Sequence, residues 1–371
     1  MRATVERSHL LKSLGHVHRV VERRNTIPIL SNILLRSDGS SLTMKATDLD
    51  LEVTETVPAD IGQSGATTVP AHILHDIVRK LPDGAEVALD SGDGSQLALR
   101  SGRSNFALQV LPEDDFPDLT AGEFPTRFSL PAVAMKKLID RTQFAISTEE
   151  TRYYLNGIYL HAVKVGDKPM LRAVATDGHR LAQAQMEAPS GADGLAGIIV
   201  PRKTVGEIQR LVEEPEANID VEVSDTKIRF TIGPVVLTSK LIDGTFPDYV
   251  RVIPQGNDKV LKVDRAEFAA AVDRVSTISS ERGRAVKLAL SDGKMVLSVN
   301  NPDSGSATEE LGADYAADGI EIGFNARYLL DVASQLETGT AEFRFADPGS
   351  PTLITDEGET DALYVLMPMR V

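Results

Sequence analysis

One pattern of thirteen residues occurs three times in this chain. Residues 69–81 read VPAHILHDIVRKL, residues 200–212 read VPRKTVGEIQRLV, and residues 324–336 read FNARYLLDVASQL. Other landmarks recur in the same order. An acidic or Asn-containing strand precedes each pattern: KATDLDLEVTE from Lys45, AVATDGHRLAQ from Ala173 and LSVNNPDSGSATEE from Leu297. An apolar segment with a proline follows each: LPEDDFPDL from Leu111, LIDGTFPDYVRVIP from Leu241 and YVLMPMRV from Tyr364. Matching landmarks lie about 120 to 135 residues apart, too far for a solenoid unit and suited to tandem copies of a whole domain. Each copy also opens on a helical segment: VERSHLLKSLGHVHRVV from Val5, LPAVAMKKLIDRTQFAIS from Leu130 and VDRAEFAAAVDRVSTIS from Val263. Three copies suit a protein that surrounds or lines something better than one with a single reaction centre.

The bulk properties permit this. A chain of 371 residues with 42% apolar content can supply a core for each copy. It has no cysteine, so disulfides and thiolate metal sites are excluded. The N-terminal MRATVERSHLLKSLGH lacks the apolar run of a signal peptide, and no stretch reaches the ~20 apolar residues of a membrane span. A soluble, cytoplasmic protein is expected, with no membrane partner.

Net charge is −15, which by itself argues against nucleic acid as a partner. Its distribution argues the other way. The helical segments 5–24, 69–81, 130–147, 200–212, 263–284 and 324–336 hold about 18 Lys and Arg against about 10 Asp and Glu, so the acidic excess lies in strands and loops. In the first segment Leu10, Leu14, Val17 and Val21 share one face, and Lys12, His16, Arg19 and Arg23 share the other. In the second copy Met135, Leu138, Ile139 and Thr142 form the apolar stripe, with Lys136, Lys137 and Arg141 directed away from it. The third copy's helices are close to charge-balanced.

Between the helices lie short alternating segments, such as SLTMKATDLDLEVTETV and NIDVEVSDTKIRFTIGPVVLTSKLI, punctuated by turns such as DGS and SGRS. Alternation with such turns indicates antiparallel hairpins that bury one face. The expected fold is α+β: three tandem copies at residues 1–126, 127–256 and 257–371, each with antiparallel sheet outside and two helices inside.

Seven stretches carry a resemblance over the whole chain. They are NTIPILSNILL from Asn25, SGRSNFAL from Ser101, TRYYLNG from Thr151, ATDGHRLA from Ala175, TSKLIDGTFPDY from Thr238, EIGFNARYLLDV from Glu321 and YVLMPMR from Tyr364. With them the chain resembles the bacterial DNA polymerase III β subunit family, the sliding clamps. The resemblance implies a DNA-clamp fold closing into a six-domain dimeric ring around duplex DNA. Twelve inner helices with axes ~8–10 Å apart leave a hole of about 22–28 Å, enough for a duplex and water. Such helices would touch phosphates and position the ring without reading bases.

The resemblance also implies residue roles. Leu155, Thr176, Gly178, His179, Arg180, Leu181, Pro247, Arg251, Val252, Val365, Met367, Pro368, Met369 and Arg370 form a pocket for partner peptides. Pro368 cannot donate to a ladder, which suggests a sheet edge or an exit from the sheet there, beside adaptable methionines. Leu181, Val252, Val365, Met367 and Met369 are expected as the pocket's apolar floor, with His179, Arg180 and Arg370 as its polar rim. Arg24, His72, Arg202 and Lys203 are expected at DNA, with Tyr153 and Tyr154 meeting a single strand. Arg103 and Phe106 of one subunit are expected to face Thr277, Ile278, Glu309 and Glu310 of the other in a homodimer. The implied partners are double-stranded DNA, the replicative polymerase, an ATP-driven clamp loader, and other polymerases and repair proteins bearing clamp-binding peptides.

Catalytic and metal chemistry finds little support. His16 with His18, and His72 with His75, are spaced for metal sharing but lack an evident third ligand. Asp48, Asp50 and Glu52 alternate as on one solvated strand face. Asp177, His179 and Arg180 adjoin in sequence, which does not supply an oriented nucleophile and base. No phosphate-binding GxxxxGK[ST] loop occurs, so neither cofactor nor ATP is expected. Some positions depart from the family: Asn105 and His72 stand where a cation is frequent, and NNPDSGSATEE is thin in acid. Two further readings stay open, a partner-recruiting scaffold of the same fold that does not encircle DNA and a hydrolase centred on Asp177 and His179.

Overall fold

The computed structural model describes all residues except 93, 120, 121, 213–216, 280–283 and 371, so the end of the expected helical segment 263–284 lies outside the described residues. Among the described residues six α-helices run in chain order: α1 (Arg7–Val17), α2 (Ala71–Lys80), α3 (Ala132–Asp140), α4 (Arg202–Leu211), α5 (Arg265–Ser276) and α6 (Ala326–Ala333). Each begins two residues later than its sequence segment because a strand runs directly into it, and each also ends before its segment does. Pro70, Pro131 and Pro201 end the strands before α2, α3 and α4. Proline lacks an N–H and has a fixed φ, so it closes a strand and starts a helix without leaving a donor unpaired. The other three starts are capped by side chains, Glu6 accepting from the Ser8 N–H, Asp264 from Glu267 and Asn325 from Arg327.

The chain divides into two compact units. The first comprises Met1–Val133 with Gly206–Leu241. Its five-stranded sheet has the order Asp60–Gln63, Arg2–Glu6, Glu86–Asp90, Gln96–Ser101 and Ser104–Gln109. Its eight-stranded sheet runs Thr126–Pro131, Asn218–Val223, Lys227–Ile232, Val235–Lys240, Leu51–Pro58, Ser41–Thr47, Asn32–Asp38 and Gly65–Pro70. The second unit comprises Ala134–Val205 with Ile242–Val371. Its eight-stranded sheet runs Ile198–Pro201, Gly157–Val165, Lys168–Thr176, Arg180–Glu187, Ala362–Leu366, Thr352–Asp356, Thr340–Phe345 and Lys259–Asp264. Its four-stranded sheet runs Gly305–Gly312, Lys294–Asn301, Ala285–Ser291 and Ile320–Asn325.

The three-copy α+β fold is present, with one feature the repeats did not show: neighbouring copies share a sheet. In the first unit Val235–Lys240 of the second copy pairs antiparallel with Leu51–Pro58 of the first, Leu237 opposite Val53 and Thr238 opposite Glu52. In the second unit Ala362–Leu366 of the third copy pairs with Arg180–Glu187 of the second, Tyr364 opposite Ala182 and Val365 opposite Leu181. Both junctions end on the same hydrogen bond, Lys240 N–H to Asp50 C=O at 2.8 Å and Met367 N–H to His179 C=O at 2.9 Å.

Helices pack on these sheets through apolar faces. Leu10, Leu14 and Val17 of α1 are fully buried, as are Leu42, Met44 and Ala46 beneath them. In the third copy Phe268 of α5 meets Phe343 edge-on at 5.1 Å. Each such side chain contributes ~1.5–3 kcal/mol through burial. Among the described residues no helix is long and apolar enough to cross a membrane.

Four local expectations are corrected. The first helix does not continue to Arg24. It ends at Val17, a 3-10 turn spans His18–Val20, and Val21 is extended. Val17, Val20 and Val21 are all buried across this turn, and β-branched residues lower helix propensity slightly. His16 does not face solvent: its Nδ1 lies 2.8 Å from Glu55, whose other oxygen accepts from Ser13 at 2.7 Å, so a buried carboxylate is satisfied by α1. Arg141 is not an outward cation either. It is 3% exposed and pairs with Glu337 at 3.0 Å and Glu359 at 3.2 Å. Finally, Asp48, Asp50 and Glu52 do not share a strand face. Asp48 caps a turn by accepting from the Asp50 and Leu51 N–H groups, and Glu52 is buried against Lys45 and the Leu119 N–H.

The histidines near α2 gather without forming a metal site; among the described residues no three metal-ligating groups converge. His18 stacks on His75 at 3.9 Å and meets His72 edge-on at 5.6 Å. Burial pushes the His18 imidazole down to about 4, against the Leu14 carbonyl bond that favours its N–H and with help from His75, His72 and Arg19. A depressed histidine pKa means that folding favours the neutral ring. That stability is fully present above the ordinary value of 6.5 and is lost as pH falls toward about 4. His18→Asn keeps a donor for Leu14 and removes the titration. Its unfolding free energy from urea titration is predicted to fall less than that of wild type between neutral pH and pH ~5, by about 1 kcal/mol after discounting for partial exposure; parallel curves would contradict this.

Candidate functional site

The expected peptide-pocket residues all lie in the second unit, and most of them gather. Leu155, Leu181 and Val365 belong to one apolar cluster with Val174, Ile199, Phe246 and Tyr249. They are 4%, 2% and 3% exposed, so they form the base of the site rather than its surface. Val252 and Met367, at 50% and 41% exposed, supply the accessible apolar atoms. The strand ends at Leu366, and the tail then leaves the sheet as Pro368 suggested. The Met369 N–H donates to Gly323 at 2.8 Å, which holds the tail near α6. Pro247, Arg251 and Arg370 are exposed, and Arg251 pairs with Asp248 at 2.7 Å.

The ATDGHR turn is rigid. Thr176 Oγ1 donates to the Arg180 carbonyl at 2.7 Å and accepts from the Gly178 N–H at 3.1 Å. Gly178 has φ 89°, a backbone conformation that favours glycine. His179 is exposed at the tip. Asp177 spends Oδ1 on the His179 and Arg180 N–H groups and Oδ2 on Arg180 Nε at 3.1 Å. Asp177 therefore orients no histidine as a base, and the hydrolase reading loses its geometry.

Arg180 is not a rim residue. Its guanidinium donates to Asp331 at 2.5 Å and to the Phe144 carbonyl at 2.6 Å, and lies over the rings of Tyr328 at 4.2 Å and Phe144 at 5.1 Å. An arginine that bonds three separate acceptors and stacks on two rings is a rigid connector. Phe144, Tyr328 and Asp331 were missed in the sequence. Tyr328 and Asp331 sit three apart on α6, a spacing equally suited to a solvated helix face.

Of the expected interface residues, Phe106, Glu309 and Glu310 lie on strands at two sheet edges, Arg103 lies in the turn before one of them, and Thr277 and Ile278 lie beyond a helix. Arg103 and Phe106 belong to the hairpin whose second strand, Ser104–Gln109, borders the first unit's five-stranded sheet. Phe106 is 36% exposed. Glu309 and Glu310 lie on Gly305–Gly312, which borders the second unit's four-stranded sheet. Glu309 is held by Arg274 at 3.1 Å and Glu310 by Lys294 at 3.2 Å. Thr277 and Ile278 follow α5, where the Ile278 carbonyl accepts from Asn301 at 2.8 Å.

The expected DNA contacts are dispersed. Arg24 is exposed in the loop after the first 3-10 turn. His72 is half-buried, with Nε2 at 2.9 Å from the Val21 carbonyl, so part of its capacity is used within the fold. In the second unit Arg202 opens α4 and its N–H donates to Asn156 at 3.0 Å. That contact sets Arg202 beside the segment bearing Tyr153 and Tyr154, whose rings meet edge-on at 5.7 Å. Tyr153 is 54% exposed, and Lys203 is half-buried.

Known proteins match this chain from end to end. The N-terminal, central and C-terminal domains of the DNA polymerase III beta subunit family match residues 1–120, 129–248 and 250–370. The Caulobacter vibrioides beta sliding clamp is 56% identical and that of Escherichia coli K12 40% identical, each over the full length of both proteins. A crystal structure of a Bartonella birtlesii sliding clamp bound to griselimycin superposes with a TM-score of 0.98 at 59% identity, covering all of both chains. A crystal structure of the Caulobacter crescentus clamp superposes with a TM-score of 0.97 at 55% identity over the same extent. The chain belongs to the DNA polymerase III β subunit family.

Proposed function

We propose that this protein is a non-catalytic DNA sliding clamp. Two chains close head to tail around duplex DNA and tether the replicative polymerase. The observation that carries the proposal is the repeated junction. Counted from the two-residue turns that Ser101–Ser104 and Ile232–Val235 close, Phe106 corresponds to Leu237, and the shared register extends this to Tyr364. Leu237 and Tyr364 are 0% and 1% exposed because a neighbouring copy covers them, whereas Phe106 is 36% exposed. The missing neighbour is the strand corresponding to Leu51–Pro58 and Arg180–Glu187, namely Gly305–Gly312 of a second chain.

Carrying the register over sets Phe106 opposite Ala307, Ser104 opposite Glu309 and Arg103 opposite Glu310. Opposite charges then face each other at the end of the ladder. Unlike edges joined in this way form a closed ring when the rotation permits. The scaffold alternative would leave both edges bare, which native sheets usually avoid.

Within the ring, Arg24, His72, Arg202 and Lys203 are the proposed phosphate contacts, with Tyr153 and Tyr154 stacking on single strand. The cluster around Leu155, Leu181 and Val365, with Val252 and the tail above it, is the proposed partner-peptide pocket; Arg180 shapes it from below. A separate ATP-driven loader opens the ring, and other polymerases and repair proteins use the same pocket. The copies divide at 1–126, 127–256 and 257–371, and the site of action is the cytoplasm.

Phe106→Asp is predicted to give folded monomers, read by sedimentation at concentrations where wild type is dimeric; a dimeric variant would remove this edge from the interface. Deleting residues 367–371 is predicted to weaken a clamp-binding peptide by ~2 kcal/mol or more, because its exposed apolar anchor is lost. The dimer should persist in that variant. Undiminished affinity in the truncated dimer would exclude the tail from the site.

A further inference from the structure

The C-terminal tail crosses between two sheets of the second unit, and its two anchors belong to different copies. Met367 donates its N–H to the His179 carbonyl at 2.9 Å, on the second copy's ATDGHR turn. Met369 donates to the Gly323 carbonyl at 2.8 Å, on the strand Ile320–Asn325 that borders the third copy's four-stranded sheet. Pro368, between them, has no N–H to offer either side. The placement of the tail therefore depends on how far apart those two carbonyls are held.

Arg180 joins the two elements that carry them. On the side of the turn its Nε donates to Asp177 at 3.1 Å and its Nη2 to the Phe144 carbonyl at 2.6 Å. On the other side its Nη1 donates to Asp331 of α6 at 2.5 Å, and its guanidinium lies over the ring of Tyr328, three residues earlier on the same helix. The strand bearing Gly323 runs directly into α6, where Asn325 caps the helix by accepting from the Arg327 N–H at 2.9 Å. The Arg180 side chain is 10% exposed and that of Asp331 29%. A charge-assisted bond so short and so shielded is strong and directional. Removing the Asp331 carboxylate leaves Arg180 on its partners in the second copy and cuts its hydrogen bond to α6.

We propose that Asp331 is a positioning residue for partner-peptide binding. Acting through Arg180, it fixes the separation of the His179 and Gly323 carbonyls and so presents the exposed Met367 side chain to the peptide. This role presupposes the partner-peptide pocket proposed above. Without the Arg180–Asp331 bond the tail is ordered only as the peptide binds, and the cost of ordering it is taken from the affinity. A tail in its binding place about one tenth of the time lowers the apparent affinity about tenfold.

The test makes two measurements on the full-length protein. In the first, a fluorescent clamp-binding peptide is titrated and followed by anisotropy. Asp331→Ala should weaken it about tenfold, and Asp331→Asn, which keeps an acceptor oxygen for Arg180, about threefold or less. Lys262→Ala removes an exposed ion pair with Glu357 at 2.7 Å in the same copy and should leave affinity within about twofold of wild type. In the second, the NMR spectrum of protein carrying methyl-labelled methionine is recorded without peptide. In Asp331→Ala the Met367 and Met369 signals should shift and sharpen, while that of Met295, buried in the four-stranded sheet, stays in place. General destabilisation would not confine the change to the tail. Unchanged affinity in Asp331→Ala, where deleting residues 367–371 does weaken the peptide, would overturn this role and leave the pocket standing. Unmoved tail methionines, or equal weakening by Lys262→Ala, would overturn it as well. Undiminished affinity in the tail deletion would remove the pocket and this role together.

Discussion

Antiparallel pairing between strands of neighbouring copies is the interaction on which the rest of the structure depends. It joins Leu237 to Val53 in one unit and Tyr364 to Ala182 in the other, in one register and with one terminal hydrogen bond. Each pairing satisfies two rows of backbone groups and covers the side chains on both faces of the strands. Repeating it along the chain leaves one unmatched strand at the start, Ser104–Gln109, and one near the end, Gly305–Gly312. The proposed ring would close on these two strands by the same pairing that builds each unit.

The two junctions differ in the side chains they carry on a common backbone frame. At the second junction Val174, Leu181 and Val365 make an apolar base, and Arg180 is locked beneath the turn by Asp177, Asp331 and two aromatic rings. At the first, Lys45, Glu52 and Arg229 hold the corresponding positions as ion pairs. Divergence of this kind lets one duplicated fold carry distinct surfaces without altering the pairing that closes it.

Much of this was legible in the sequence because it is periodic. The threefold recurrence of VPAHILHDIVRKL-like segments revealed the copies, and the apolar stripe Leu10, Leu14, Val17 revealed the buried face of α1. That the tail would either edge its sheet or leave it at Pro368 followed from a missing N–H. What escaped depends on contacts distant in sequence. Arg141 read as a surface cation because its partners, Glu337 and Glu359, lie some two hundred residues away. His16 read as solvent-facing because Glu55 is on another element. Arg180 read as a rim group because Asp331 and Tyr328 come from another copy. Sheet sharing was hidden for the same reason, since a strand's own alternation does not name its neighbour.

The register of the closing junction offers the most direct test. The chain has no cysteine, so a pair introduced as Ser104→Cys and Glu309→Cys has no competing thiol. Directly opposed residues of an antiparallel pair lie ~4.5–5.5 Å apart at Cα, within the range a disulfide spans. Under mild oxidation the variant should form a covalently closed pair of chains that stays on circular DNA through denaturing detergent and is released by reduction or by cutting the DNA. Each single variant should remain uncrosslinked. Failure of the double variant to crosslink while it remains dimeric would contradict the shared register, and with it the claim that one strand pairing builds the whole ring.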